Sequence, residues 1–314
     1  MDLGAAGLIE QPFPTHGKPL AVVTYQSQRD ALEVLRETLE HPTGLSLLQG
    51  PALSGKSVLV RSFRDSIDEE HAAAIVDGKG LNTTNLLLAI LRNFGYELDL
   101  SSANELLGLI RVFALQQATS GTPPLIIIEH AHELNPSGLR ALCELAELRT
   151  RSGSALKIVL LSERSLSSMV EAPAMQAIAK RVLHDFHLRP MSAEETRDYL
   201  YEKLTAAGAE YPSFIFPKAV CDELWRASGG WPGILDRVEL LALDRAEELP
   251  VRTDSIEHAA LPNGTWDDSV INELPESSGQ PPAPPQLIVS SNGSVIQELT
   301  MDKPRLLLGR SEHN

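Results

Sequence analysis

One octapeptide, Gly50-Pro51-Ala52-Leu53-Ser54-Gly55-Lys56-Ser57, has the residue types and spacing to hold a polyphosphate. It fits the pattern G-x-x-x-x-G-K-[ST] at every required position. Its glycines let the backbone curl until successive N–H groups point inward. Lys56 then brings a cation to the β- and γ-phosphates, and the Ser57 hydroxyl is a ligand for Mg²⁺. The octapeptide follows the apolar run Leu45–Leu48 and opens the amphipathic stretch Ser57–Arg64. A helix starting there adds the positive end of its dipole to the phosphate site. ATP and Mg²⁺ are the ligands this pattern calls for.

Hydrolysis needs a further carboxylate at the tip of a neighbouring strand, to orient the metal shell and the attacking water. The candidate segment runs Leu125-Ile126-Ile127-Ile128-Glu129-His130-Ala131-His132-Glu133-Leu134. Glu129 can reach a metal-bound water and pairs with Ser57 as a metal-site residue. His130 stands where a second carboxylate is useful. A neutral imidazole carries no charge to hold water in place, and a protonated one repels Mg²⁺. Slow hydrolysis on top of normal nucleotide binding is the expected consequence. Two other readings stay open: His130 and His132 hydrogen-bond at the strand-to-loop edge, or with Glu133 they ligate a metal, although no zinc spacing is met.

These residues need a scaffold, and the pattern supplies one. Leu45–Leu48, Ala72–Val76, Leu125–Ile128, Lys157–Leu161 and Val182–Leu188 read as short strands. Between them, Ser27–Glu40, Lys56–Asp65, Thr83–Phe94, Ser101–Gln117, Gly138–Leu148 and Ala172–Lys180 repeat apolar residues at helical spacing. Alternation of this kind predicts an α/β fold, a parallel five-stranded sheet flanked by helices. Beyond Met191 the strand runs stop, and Ser192–Thr205, Pro217–Ala227 and Trp231–Glu247 read as a small helical lid. Ser192, with Glu194 and Glu195 in the first turn, suits a helix start. The expected organisation is an N-terminal segment over 1–17, a nucleotide-binding core over 18–190, the lid over 191–260 and a Pro/Ser-rich linker over 261–286. Strand character returns over 287–314, at Leu287–Val289 and Arg305–Leu308, with a turn at Asn292-Gly293 between them.

The charge balance narrows the partners. A formal charge of −15 over 314 residues argues against a surface that tracks nucleic acid or an anionic membrane throughout. Arg140, Arg149 and Arg151 are the basic residues nearest to a local exception. The two cysteines, Cys143 and Cys221, lie far apart in apolar helical patterns and read as reduced core residues of a cytoplasmic protein. Met1-Asp2-Leu3-Gly4 begins no signal peptide, and the longest apolar runs fall far short of the ~20 residues of a membrane helix.

Four segments in order resemble the AAA+ ATPases of the general secretion pathway protein A type, to which transposition-associated ATPases are related. They are Gln49-Gly50 through Ser57, the strand ending Glu129-His130-Ala131-His132-Glu133-Leu134, then His187-Leu188-Arg189-Pro190-Met191-Ser192, and Ser228-Gly229-Gly230-Trp231-Pro232. Aligned on Ala131-His132-Glu133-Leu134, the family's usual Asp-Glu corresponds to Glu129 and His130. The resemblance implies a γ-phosphate sensor near Ser162-Glu163-Arg164, with Glu163 in the polar position. It makes Arg181 the finger offered to a neighbour's nucleotide in a homo-oligomer. It also implies a lid arginine after Gly-Gly-x-Pro, where Gly233 stands instead; Arg237, one turn on, is the candidate to compensate. The stretch Leu299–Asn314 resembles the opening strands of a forkhead-associated domain, with Arg310 at the phosphopeptide position. A phosphothreonine partner is implied only if a complete domain of that kind follows. Three functions are thereby expected in descending order: an ATPase that assembles or remodels a protein partner, a nucleotide-gated scaffold with little turnover, and a DNA-associated transposition-type regulator.

Overall fold

The computed structural model describes residues 7–13, 21–68, 71–97, 102–166, 176–246 and 248–259, and the backbone of 286–291 and 294–300. Five strands build one sheet: β1 (Leu45–Gln49), β2 (Ala73–Asp77), β3 (Leu125–Glu129), β4 (Lys157–Ser162) and β5 (Val182–His187). Their spatial order is β2-β3-β4-β1-β5 and every pairing is parallel. β1, β3 and β4 are buried along their whole length, whereas β2 and β5 at the edges are part exposed. That difference follows from covering both faces of a parallel sheet with helices, which makes central strands continuous apolar runs.

The covering helices divide by face. Leu35 of α1 (Gln26–Glu40) and Leu59 and Phe63 of α2 (Lys56–Ser66) pack with Leu48, Ile127 and Val159. Leu87 and Ile90 of α3 (Thr83–Asn93), Ile110 of α4 (Ala103–Thr119) and Leu142 of α5 (Pro136–Ala146) pack with Leu47, Ile126 and Ile158. Neighbouring residues of β3 thus serve opposite faces, as the two-residue strand period demands. α5 begins two residues before the expected Gly138, because Pro136 occupies its first turn, where a missing N–H costs nothing. Of the helix expected over Ala172–Lys180, the described part is α6 (Gln176–Ala179).

The lid holds α7 (Ala193–Ala206), α8 (Pro212–Ile215), α9 (Lys218–Ser228), α10 (Pro232–Arg245) and α11 (Thr253–Ala259). α7 starts on a capping box: Ser192 Oγ accepts from Glu195 N–H at 3.2 Å, and the Glu195 carboxylate accepts from Ser192 N–H at 2.9 Å. Leu200, Phe216, Leu224 and Leu235 form the lid core, and Leu8, Phe13 and Tyr25 of the N-terminal part are built into it. The short helices α8 and α11 escaped the pattern reading. A separate unit beyond residue 267 contains the antiparallel pair β6 (Gln286–Ser291) and β7 (Ser294–Thr300). The two strands flank Asn292-Gly293, and β7 replaces a stretch left unassigned from sequence. The linker, Arg305–Leu308 and Arg310 lie outside the described residues. Among the described residues no helix is long and apolar enough to cross a membrane.

Candidate functional site

Parallel strands all end at the same edge, and here that edge is polar. In the sheet register Asp77 sits beside Glu129, and Gln49 lies between Ser162 and His187. Buried Gln49 is fixed by neighbours: its Oε1 accepts from Leu166 N–H at 2.7 Å, and its amide bonds Asp185. The edge opens on a cavity of about 330 Å³ lined from the sheet side by Leu53, Ser54, Gly55, Lys56, Ser57, Glu129, His130 and Glu163. Such a crevice outside the carboxyl ends of the strands is where open α/β sheets bind ligands.

The phosphate loop owes its shape to two left-handed residues, Leu53 at φ +62° and Gly55 at φ +87°. At Gly55 that φ strains any side chain, and an added Cβ would also require the Gln28 amide, 2.5 Å away, to swing aside. Lys56 is 7% exposed. Its ammonium donates to Gly50 O at 2.6 Å, to Pro51 O at 2.7 Å and to Ser54 Oγ at 3.2 Å. Burial lowers its pKa to about 8, against the opposing pull of the Glu163 and Glu129 carboxylates. A cation so desolvated gains strongly from an incoming polyanion.

Glu129 ends β3 with its side chain 9% exposed; Oε2 lies 3.2 Å from Arg61 Nη2, and Oε1 is buried without a hydrogen-bond partner. An orphan carboxylate oxygen in the same cavity as the Ser57 hydroxyl is an all-oxygen donor set that fits Mg²⁺. The cation would supply charge neutralisation at the phosphates. His130 adopts a left-handed backbone at φ +51°, which turns its side chain toward β2. There its Nδ1 is 2.8 Å from Asp77 Oδ1, while Nε2 lies 3.9 Å from Glu163 Oε1. The hydrogen-bonding reading of His130 is thus seen in the geometry. That bond, with Lys79 N–H and the charges of His130 and Lys79, holds the Asp77 carboxyl below its ordinary range against the opposing effect of its partial burial. The His132 imidazole is pushed down by burial, and its Nδ1 finds no hydrogen-bond partner.

From the lid side the cavity is closed by Tyr199, Lys203, Pro232, Gly233 and Asp236, and from the N-terminal strap by Ala21–Thr24. The lid is stitched to the phosphate loop: Gly233 N–H donates to Leu53 O at 2.9 Å. An added Cβ at Gly233 would lie 2.8 Å from that same oxygen, so no arginine fits there without moving the loop. Arg237 is exposed and outside the cavity lining; its place one residue past Asp236 aims it elsewhere on the helix. The lid cation in the cavity wall is Lys203, 5% exposed, whose Nζ meets both Asp236 oxygens at 2.7 Å. Tyr199 OH donates to Asp236 Oδ1 at 2.8 Å. Arg181 is half-buried just before β5 and does not line the cavity of its own chain.

One turn beyond Asp236, Glu239 is 0% exposed, and its carboxyl lies against that of Asp236, to which it can donate only when protonated. Burial pushes its pKa well up, the Asp236 charge pushes it further, and Lys203 opposes both. A carboxyl with a raised folded pKa stabilises fully below its unfolded pKa, and that stability drains away as pH rises through the folded value. Melting temperature should therefore fall as pH rises above the ordinary carboxyl range. Glu239→Gln should flatten the profile; an unchanged slope in thermal melts refutes the assignment.

The structure thus brings Leu53–Ser57, Glu129, His130 and Glu163 to one cavity, with Gly50, Pro51 and Ala52 forming the turn behind Lys56. It leaves Arg181 and Arg237 outside. Sequence reasoning missed Arg61, Asp77, Lys203 and Asp236. Asp77 had a signal, a lone acid closing an apolar strand; Lys203 and Asp236 had none, because the lid fold alone brings them to the phosphate loop.

Residues 39–170 match a family model described as AAA domain. General secretion pathway protein A of Aeromonas hydrophila is 29% identical over 279 residues, 85% of this chain and 50% of its own. The chain therefore spans about half the length of that curated relative. Among solved structures, the ORC2 protein of Aeropyrum pernix, in its ADPNP-ADP complexes, superposes at TM-score 0.62 with 15% identity, over 81% of this chain and 72% of its own. Cdc6p of Pyrobaculum aerophilum superposes at 0.60 with 16% identity, over 77% and 67%. Likenesses at that identity speak for fold, and the fold is that of the P-loop AAA+ ATPases, a parallel five-stranded sheet flanked by helices beneath a small helical lid.

Proposed function

We propose that this chain binds Mg·ATP in the cavity between phosphate loop and lid, hydrolyses it slowly, and uses the cycle to assemble with or remodel a protein partner. The observation that carries the reading is the shared wall: Lys56 and Ser57 from the sheet domain and Lys203 and Asp236 from the lid line one cavity. A ligand held there touches both parts and biases their relation, which is what a nucleotide switch requires. Slow turnover follows from the γ-phosphate end, where His130 and Glu163 face a centre that profits from positive charge. Ground-state binding suffers less, since the loop amides and Lys56 are intact.

A second reading, a nucleotide-gated scaffold with negligible turnover that positions a phosphothreonine-reading module, draws on the same residues. His130 is already engaged by Asp77, and Gly233 leaves the lid without a cation at that position. Affinity and phosphate release measured on one sample separate the two. Steady release that disappears in Lys56→Ala supports the ATPase. Tight binding without release, and release gained in His130→Glu, supports the scaffold. Absence of ATP binding by folded protein removes both.

A further inference from the structure

The carboxylate best placed to serve a metal is already in contact with a cation. Arg61 lies on α2 four residues beyond Ser57, so its guanidinium shares a helix face with the hydroxyl that would ligate Mg²⁺. Its Nη2 is 3.2 Å from Glu129 Oε2. The two side chains differ sharply in environment, Glu129 being 9% exposed and Arg61 57%. The other oxygen, Oε1, is buried, unpartnered and part of a residue that lines the cavity. One carboxylate thus faces a protein cation on one side and a ligand cavity on the other.

We propose that Arg61 is an internal competitor of Mg²⁺ for Glu129 and sets how strongly nucleotide binding depends on the metal. The inference rests on the nucleotide-binding reading above and adds a regulatory residue to it. A nearly buried carboxylate requires a compensating charge. Without metal, Arg61 provides it and masks Glu129 from the triphosphate, alongside Lys56 at the start of the same helix. With Mg²⁺ present, the cation takes over Glu129, and Arg61, more than half exposed, returns to water at little cost. Glu163, Asp77 and His130 complete the charged surroundings and are not altered by the exchange. Arg61 therefore narrows the difference between metal-free and metal-loaded binding.

The test measures ATP affinity in EDTA and in Mg²⁺ for the intact chain, Arg61→Gln, Glu129→Gln and the double variant. The ratio of the two affinities should rise about 5–10-fold in Arg61→Gln, chiefly because metal-free binding weakens. In the Glu129→Gln background, Arg61→Gln should leave the ratio unchanged, since the shared carboxylate charge is gone. Arg61→Lys, which keeps a cation on the helix, should fall between the parent and Arg61→Gln. Thermal melts confirm that each variant is folded. An Arg61→Gln ratio equal to the parent's, or the same rise with Glu129→Gln, overturns the proposal while leaving nucleotide binding in place. An intact chain that binds ATP in neither condition overturns the nucleotide reading and this inference together.

Discussion

Lys56→Ala is expected to lose at least ~100-fold in affinity for Mg·ATP and all measurable phosphate release. The ammonium is 7% exposed and held by the Gly50 and Pro51 carbonyls at 2.6 and 2.7 Å, so its position is set before any ligand arrives. Charge-assisted hydrogen bonds contribute about 1.5–3 kcal/mol each, and two to the β- and γ-phosphates account for the factor. Stability should change little, because the variant removes a desolvated charge whose burial already depresses its pKa to about 8. Calorimetry beside thermal melting checks both halves. A folded Lys56→Ala protein that binds ATP as tightly as the parent contradicts the assignment.

The second large effect concerns Arg181. If it acts on the nucleotide of a neighbouring subunit, turnover per chain rises with protein concentration, and Arg181→Ala loses about 10³-fold or more of that assisted rate. Its position outside its own cavity is what a residue acting in trans requires. Mixing supplies a decisive version. Lys56→Ala chains still carry Arg181, while Arg181→Ala chains still bind ATP. Combined, the two should regain release that neither shows alone. Turnover that is independent of concentration and unrestored by mixing rejects the role.

Much of this was legible in the residues because local rules and the global fold agree. The phosphate loop declares itself through φ-permissive glycines, a lysine and a hydroxyl in fixed order between a strand and a helix. β1, β3 and β4 announce themselves as unbroken apolar runs, and that signal exists only because both sheet faces are covered. Ser192 with Glu194 and Glu195 in the first turn foretold the start of α7, and the structure adds the capping box between Ser192 and Glu195. Glu163 was placed by the family resemblance, at the polar position after β4, and it does line the cavity.

What stayed hidden depends on packing between distant segments. The lid cation that the family resemblance implies was sought at Arg237, chosen by helix spacing. The helix instead turns Asp236 inward, and Lys203 reaches it from α7 across a gap of 33 residues. Gly233 looked like a lost arginine until the Leu53 carbonyl was found against it. The contribution of Leu8 and Phe13 to the lid core was invisible for the same reason, as no local period marks a strap that packs far away in sequence. His130 carried no hint of its left-handed backbone, which arises from the tight 3₁₀ turn at Ala131–Glu133.

The most direct measurement is a calorimetric titration of Mg·ATP into the intact, folded chain. A single saturable site with release of heat, accompanied by a rise in melting temperature, is the predicted result. A flat titration, with no shift in melting at millimolar nucleotide, would contradict the claim that this cradle and lid hold a triphosphate.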